Sequence, residues 1–177
     1  MKSLLAILAL SSSLVLGGCA KPLQVAQDSG RYADALRIPS GEVLFLSYGA
    51  FGRSPKGPNP TFMRNEGVVV AAPSQLYITH EAAEEKNKSQ PISLPYSAMQ
   101  TVAHMTKGLG CQIHIESDGY VYLLIIAAHK KFWDCDGSSA LFDLITAKGV
   151  RVVETQKRYY FEEAGEVYPF FFIPPRF

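Results

Sequence analysis

Apolar and polar positions alternate most strictly over CQIHIE, residues 111–116. Cys111, Ile113 and Ile115 share one face, and Gln112, His114 and Glu116 share the other. A period of two predicts a strand with one buried face, which leaves His114 on the outer, exposed side. The Asp118-Gly119 pair that follows tolerates the positive φ of a tight hairpin. YVYLLIIAA (120–128) then returns apolar on both faces, as a central strand does. EVLFLSY (42–48), GVVVAA (67–72) and QLYITH (75–80) also read as strands, the last two forming a hairpin across Pro73-Ser74. ISLPYSAMQTVAHM (92–105) starts extended and bends at Pro95, which cannot donate to a ladder. The period lengthens once, over SSALFDLITAKG (138–149). There Leu141, Leu144, Ile145 and Lys148 follow helical spacing, Asp136 or Ser138 caps the start, and Gly149 ends the helix.

Punctuation between these runs predicts the loops. GAFGRSPKGPNPTFMRNEG (49–67) holds four Gly and three Pro and reads as one long loop. HKKFWDCDG (129–137) reads as another, and EAAEEKNKSQ (81–90) as a charged turn or short helix. Residues 20–41 read as a flexible tether with one helical turn at RYADALR, spanning about 25 Å on average. The predicted fold is α+β and mainly antiparallel β: a partly open barrel or curved sheet with one C-terminal amphipathic helix, in a single domain over 42–177. VRVVET (150–155) after the helix also suits a mixed α/β sheet with a β-α-β unit across 120–155.

The N-terminus has a different pattern. Lys2 precedes an apolar run from Leu4 to Leu16, interrupted only by Ser11, Ser12 and Ser13. A membrane-spanning helix needs about 20 apolar residues, so the run reads as a secretory leader over 1–18. Its end, Leu16-Gly17-Gly18-Cys19, resembles the lipobox of bacterial lipoproteins. The resemblance implies that the Cys19 thiol receives a diacylglycerol, that a peptidase cuts before it, and that the new amino group is acylated, commonly with palmitate. A bilayer would then hold the protein by lipid on Cys19, since two or more chains anchor stably. Ala20 stands where an Asp would imply inner-membrane retention, so the resemblance implies the outer membrane, with the domain facing the periplasm. The inner membrane and the cell surface remain alternatives. An ordinary leader cut near Ala20, leaving Cys19 a free thiol, is the competing reading.

Loss of the first 18 of 177 residues leaves 159, enough for one domain with a substantial core. Lys2 is the only charge in that leader, so the 17 basic and 16 acidic side chains become 16 against 16. A neutral chain with no basic run excludes nucleic acid as the expected partner. The two remaining cysteines, Cys111 and Cys135, are expected to pair in the periplasm; two buried thiols are the alternative. No metal or other cofactor is implied, because neither cysteine has a His or Cys at ligand spacing.

The order of strands closed by one helix resembles the pleckstrin-homology-like barrels over 42–149. It does so in GVVVAAPSQLYITH, ISLPYSAMQTV, CQIHIESDGYVYLLI and SSALFDLITAKG. The resemblance implies a binding module. Some members hold phosphoinositides through a close basic triplet in the first loop. Arg53, Lys56 and Arg64 occupy that loop here without forming the triplet, so headgroup binding is not carried over.

Candidate chemistry is sparse. His80 and Glu84 lie one helical turn apart with Glu81 beside them, but a zinc-protease helix needs a second imidazole where Glu84 stands. Ser138 and Ser139 follow a strand and open a helix, yet lack the Gly-x-Ser-x-Gly frame of a nucleophile elbow, and capping explains them. His104, His114 and His129 share no ligand rhythm. Phe132 and Trp133 form either a partner-binding anchor or a pair of rings packed on the barrel. Phe170, Phe171 and Phe172 in the final YPFFFIPPRF either dock on the core or meet a partner. The expected function is a non-enzymatic binding or assembly module of the cell envelope, with an envelope protein as partner. A lipid or small-ligand carrier with an apolar cavity is the alternative, and a hydrolase using His80, Glu81 or Ser138 a third reading.

Overall fold

The computed structural model describes residues 23–80, 90–106, 111–129 and 132–162. The leader with Cys19, residues 81–89, and the tail with Phe170, Phe171 and Phe172 lie outside the described residues.

The elements run α1 (Val25–Leu36), β1 (Phe45–Pro55), β2 (Phe62–Met63), β3 (Asn65–Ala71), β4 (Gln75–His80), β5 (Ile92–Pro95), β6 (Met99–Met105), β7 (Gln112–Ser117), β8 (Tyr120–His129), β9 (Phe132–Trp133), α2 (Cys135–Ala147) and β10 (Phe161–Glu162). An eight-stranded sheet has the order β5-β4-β3-β1-β8-β7-β6, with β9 added on β8. Every pairing within it is antiparallel. The outermost strands, β5 and β6, are consecutive in the chain and joined only by the 3-10 turn Tyr96–Ala98. Three residues cannot bridge the width of a flat sheet, so the sheet curls until its ends meet at this corner. The fold is the expected α+β class: a curved, partly open antiparallel sheet closed by a helix.

Alternation fills the inside of the curl. Phe51 of β1, Val69 of β3, Ile78 of β4, Leu94 of β5, Val102 of β6, Ile115 of β7 and Leu124 of β8 belong to one cluster with Leu141 and Ile145 of α2. Leu141 and Ile145 have no exposed surface; burying side chains of this size is worth about 1.5–3 kcal/mol each. Asp134 caps α2, its Oδ1 accepting from Gly137 N–H at 2.8 Å, and Gly149 leaves it at φ 85°. Asp118 and Gly119 take φ 49° and 78° at the β7–β8 turn, as the hairpin requires. The Cys111–Cys135 disulfide ties the start of β7 to the start of α2.

Five expectations about the elements need correction. First, residues 20–41 are not a tether throughout. Val25, Ser29, Tyr32, Ala33 and Leu36 recur at helical spacing, and α1 packs Tyr32 and Ala33 against Leu46, Val68 and Val70 on the outer face of the sheet. Second, the 49–67 loop shrinks to a few residues, because β1 runs on to Pro55 and β3 starts at Asn65. The glycines that suggested a loop serve close approach. A Cβ on Gly52 would stand 2.7 Å from the Met63 carbonyl oxygen, where β2 passes over the sheet. Third, Asp134 supplies the helix cap in place of Asp136 or Ser138. The buried Ser138 hydroxyl donates instead to the Asp134 carbonyl at 2.9 Å. Fourth, Phe132 and Trp133 form a short strand on β8 within the expected loop. Fifth, VRVVET yields a single parallel bridge, Val102 to Val152, so the β-α-β alternative survives only as that contact.

Candidate functional site

The outer face of the sheet can be followed rung by rung from its register. Tyr48 stands opposite Val68 and Ala127, and Ala127 opposite Trp133. Ala50 stands opposite Glu66 and Ile125. Gly52 stands opposite Leu123, and Leu123 opposite His114. Helix α1 packs over the Val68 and Tyr48 end of the first rung, and Trp133 at its other end stays exposed. Phe62, Tyr159 and Phe161 cover the third, packed on Leu123 and Val121. Between these two covers lies the second rung, whose Ala50 and Ile125 are buried, and a shallow groove opens between it and Trp133.

The groove is lined by Tyr48, Gly49, Ala50, Arg64, Gly67 and Trp133, together with Glu66 and Ala127. Its floor consists of two alanine methyls and the bare backbone of Gly49 and Gly67, which face each other across β1 and β3. Trp133 forms the rim and stays 41% exposed, a large apolar surface left open to solvent. The Arg64 guanidinium lies 5.8 Å from the centre of its ring, an exposed cation–π contact of about 0.5–1 kcal/mol. The same guanidinium holds Glu66 at 2.7 Å. The enclosed recess is about 20 Å³, room for little more than a water molecule, whereas small-molecule sites occupy about 300–1,000 Å³.

Under the third rung the structure corrects the placement of His114. It is 6% exposed and Gln112 4%, because the chain returns after α2 and lays Tyr159 over them. The Tyr159 ring centre lies 4.8 Å from that of His114. Gln112 treats Tyr159 as a strand neighbour: its Nε2 donates to the Tyr159 carbonyl at 2.8 Å, and its Oε1 accepts from Tyr159 N–H at 3.2 Å. The same Oε1 lies 3.1 Å from His114 Nε2, which assigns the proton to that nitrogen. Desolvation pushes His114 down to about 4, so the ring is neutral packing material at pH 7. Burial also lowers His104, against the opposing pull of Asp143; its ring stacks on Phe142 at 5.1 Å.

Of the other sequence candidates, Ser138 is buried and bonded within its helix. The side chains of His80 and Phe132, and all of Glu81 and Glu84, lie outside the described residues. Cys111 and Cys135 meet in the disulfide. Sequence reasoning found Trp133 but missed the groove, whose floor residues are small and give no periodic signal. No group of three or more His, Cys, Asp or Glu able to hold a metal occurs among the described residues. No helix there is long and apolar enough to cross a membrane.

No family model matches the chain, and no curated protein matches it. Among solved structures the chain is similar to the hSac2 domain from human phosphoinositide phosphatase Sac2, with a TM-score of 0.46 and 12% identity over 80% of this chain and 94% of that one.

Proposed function

We propose that this chain is a bacterial envelope lipoprotein, cut before Cys19 and held by lipid on that thiol to the outer membrane. Its barrel faces the periplasm and serves as a non-enzymatic docking module for an envelope protein. The observation that carries the reading is the sequence Leu16-Gly17-Gly18-Cys19 behind a leader too short to span a bilayer. The Cys111–Cys135 disulfide suits an oxidising compartment. Docking is favoured over carriage because the inside of the curl is filled by side chains of every long strand and of α2. The open feature is instead an outer groove rimmed by Trp133 and Arg64, two residue types enriched at binding hot spots.

Metabolic labelling with radioactive palmitate and mass spectrometry of the mature N-terminus test the anchor. The wild-type chain should carry label and fractionate with membranes, and Cys19→Ala should lose both properties. An unlabelled wild-type chain with a bare sulfur sinks the proposal.

A further inference from the structure

The outer groove lies beside the β2–β10 pair. β10 pairs with β2 in parallel, Phe161 beside Phe62 and Glu162 beside Met63. The Glu162 carbonyl accepts from Arg64 N–H at 3.0 Å. The chain therefore leaves Glu162 heading the way Met63 heads into Arg64, and Arg64 is itself a wall of the groove. Fifteen residues follow, among them Tyr168, Phe170, Phe171, Phe172, Ile173 and Phe177. Seven residues separate Glu162 from Phe170, a reach of up to about 28 Å. Pro169, Pro174 and Pro175 lack the N–H that an unbroken ladder would need, so side-chain burial is the main attachment open to this segment. Each aromatic ring left in water forfeits the burial of about 150–250 Å². The groove offers what such a segment lacks: a small-residue floor, an exposed indole and an entrance at the point of exit.

We propose that the groove is the seat of the chain's own C-terminal segment, with residues 168–172 lying across its mouth against the exposed ring of Trp133. The inference is independent of the lipid anchor. It makes the tail the resident occupant of the surface that a partner would have to enter.

Trp133 is the only tryptophan in the chain, so its fluorescence reports on the groove alone. The full-length protein with Phe170, Phe171 and Phe172 all changed to Ser should show red-shifted emission and a larger acrylamide quenching constant than wild type. As a second reading, Trp133→Ala should speed chymotrypsin cleavage within residues 168–172 while the barrel stays resistant. Identical emission and quenching in wild type and triple variant overturn the proposal and leave the groove to a partner protein, as do equal cleavage rates. A difference in emission that vanishes on dilution also overturns it, assigning the groove to the tail of a second copy.

Discussion

His114 shows how one covering residue changes the chemistry of a side chain. Laid bare on the outer face of a sheet it would titrate near 6.5; beneath Tyr159 it is held neutral down to about pH 4. Because the folded value is depressed, the unfolded chain binds one more proton between pH 6.5 and 4, and stability falls as pH drops through that window. The loss is about 1.4 kcal/mol per pH unit, roughly 3 kcal/mol in all. The Tyr159 phenol packed against it is itself raised, by burial first and by the charge of Glu116 second, and so does not titrate in this range. Urea denaturation at pH 7 and pH 4.5 should show that fall in wild type and a shallower one in His114→Gln, with the remainder due to His104, which shifts in the same direction. Gly52 illustrates the opposite economy. Its missing Cβ is the space through which β2 crosses, so Gly52→Ala should cost about 1–3 kcal/mol of overpacking, read as a lower thermal midpoint.

At the level of elements, the disulfide joins β7 to α2 across a separation of 24 residues. Closing a loop of that length stabilises the fold by about 3.5 kcal/mol in the chain-entropy model. Reduction, or the Cys111→Ser/Cys135→Ser pair, should lower the denaturation free energy by up to that amount while α2, still capped by Asp134, remains helical by circular dichroism. The elements that were legible in the sequence are those whose period and punctuation agree. The Asp118-Gly119 hairpin is one, β8 with apolar residues on both faces is another, and α2 between its cap and Gly149 is a third. Where composition and tertiary need conflict, the local pattern misleads. Gly49, Gly52 and Pro55 spell a loop locally, yet all three pair with β8 within β1, and at the two glycines neighbouring backbone passes too close for a side chain. Gly30 weakens the helical pattern of α1, whose stability comes from docking Tyr32 and Ala33. Gln112 and His114 mark an exposed face by type. Nothing in their own strand announces that a segment more than 40 residues later will cover them.

For the whole molecule, the outer face of the sheet is nearly as fully dressed as its interior. Helix α1 clothes one end and the β2–β10 strip the other. The groove between them was not legible, because it is defined by where two distant segments stop. One consequence of the α1 arrangement concerns distance. On the proposed anchor, only the five residues from Ala20 to Gln24 separate the lipidated cysteine from a helix already fastened to the barrel, about 20 Å at full stretch. Energy transfer from Trp133 to a dansyl-labelled lipid should therefore be efficient in the native protein and drop when a long Gly/Ser insert follows Ala20. Efficiency that ignores the insert counts against a short connection. Such a leash makes the barrel a fixture of its own bilayer, so any partner rooted in another layer of the envelope must do the travelling.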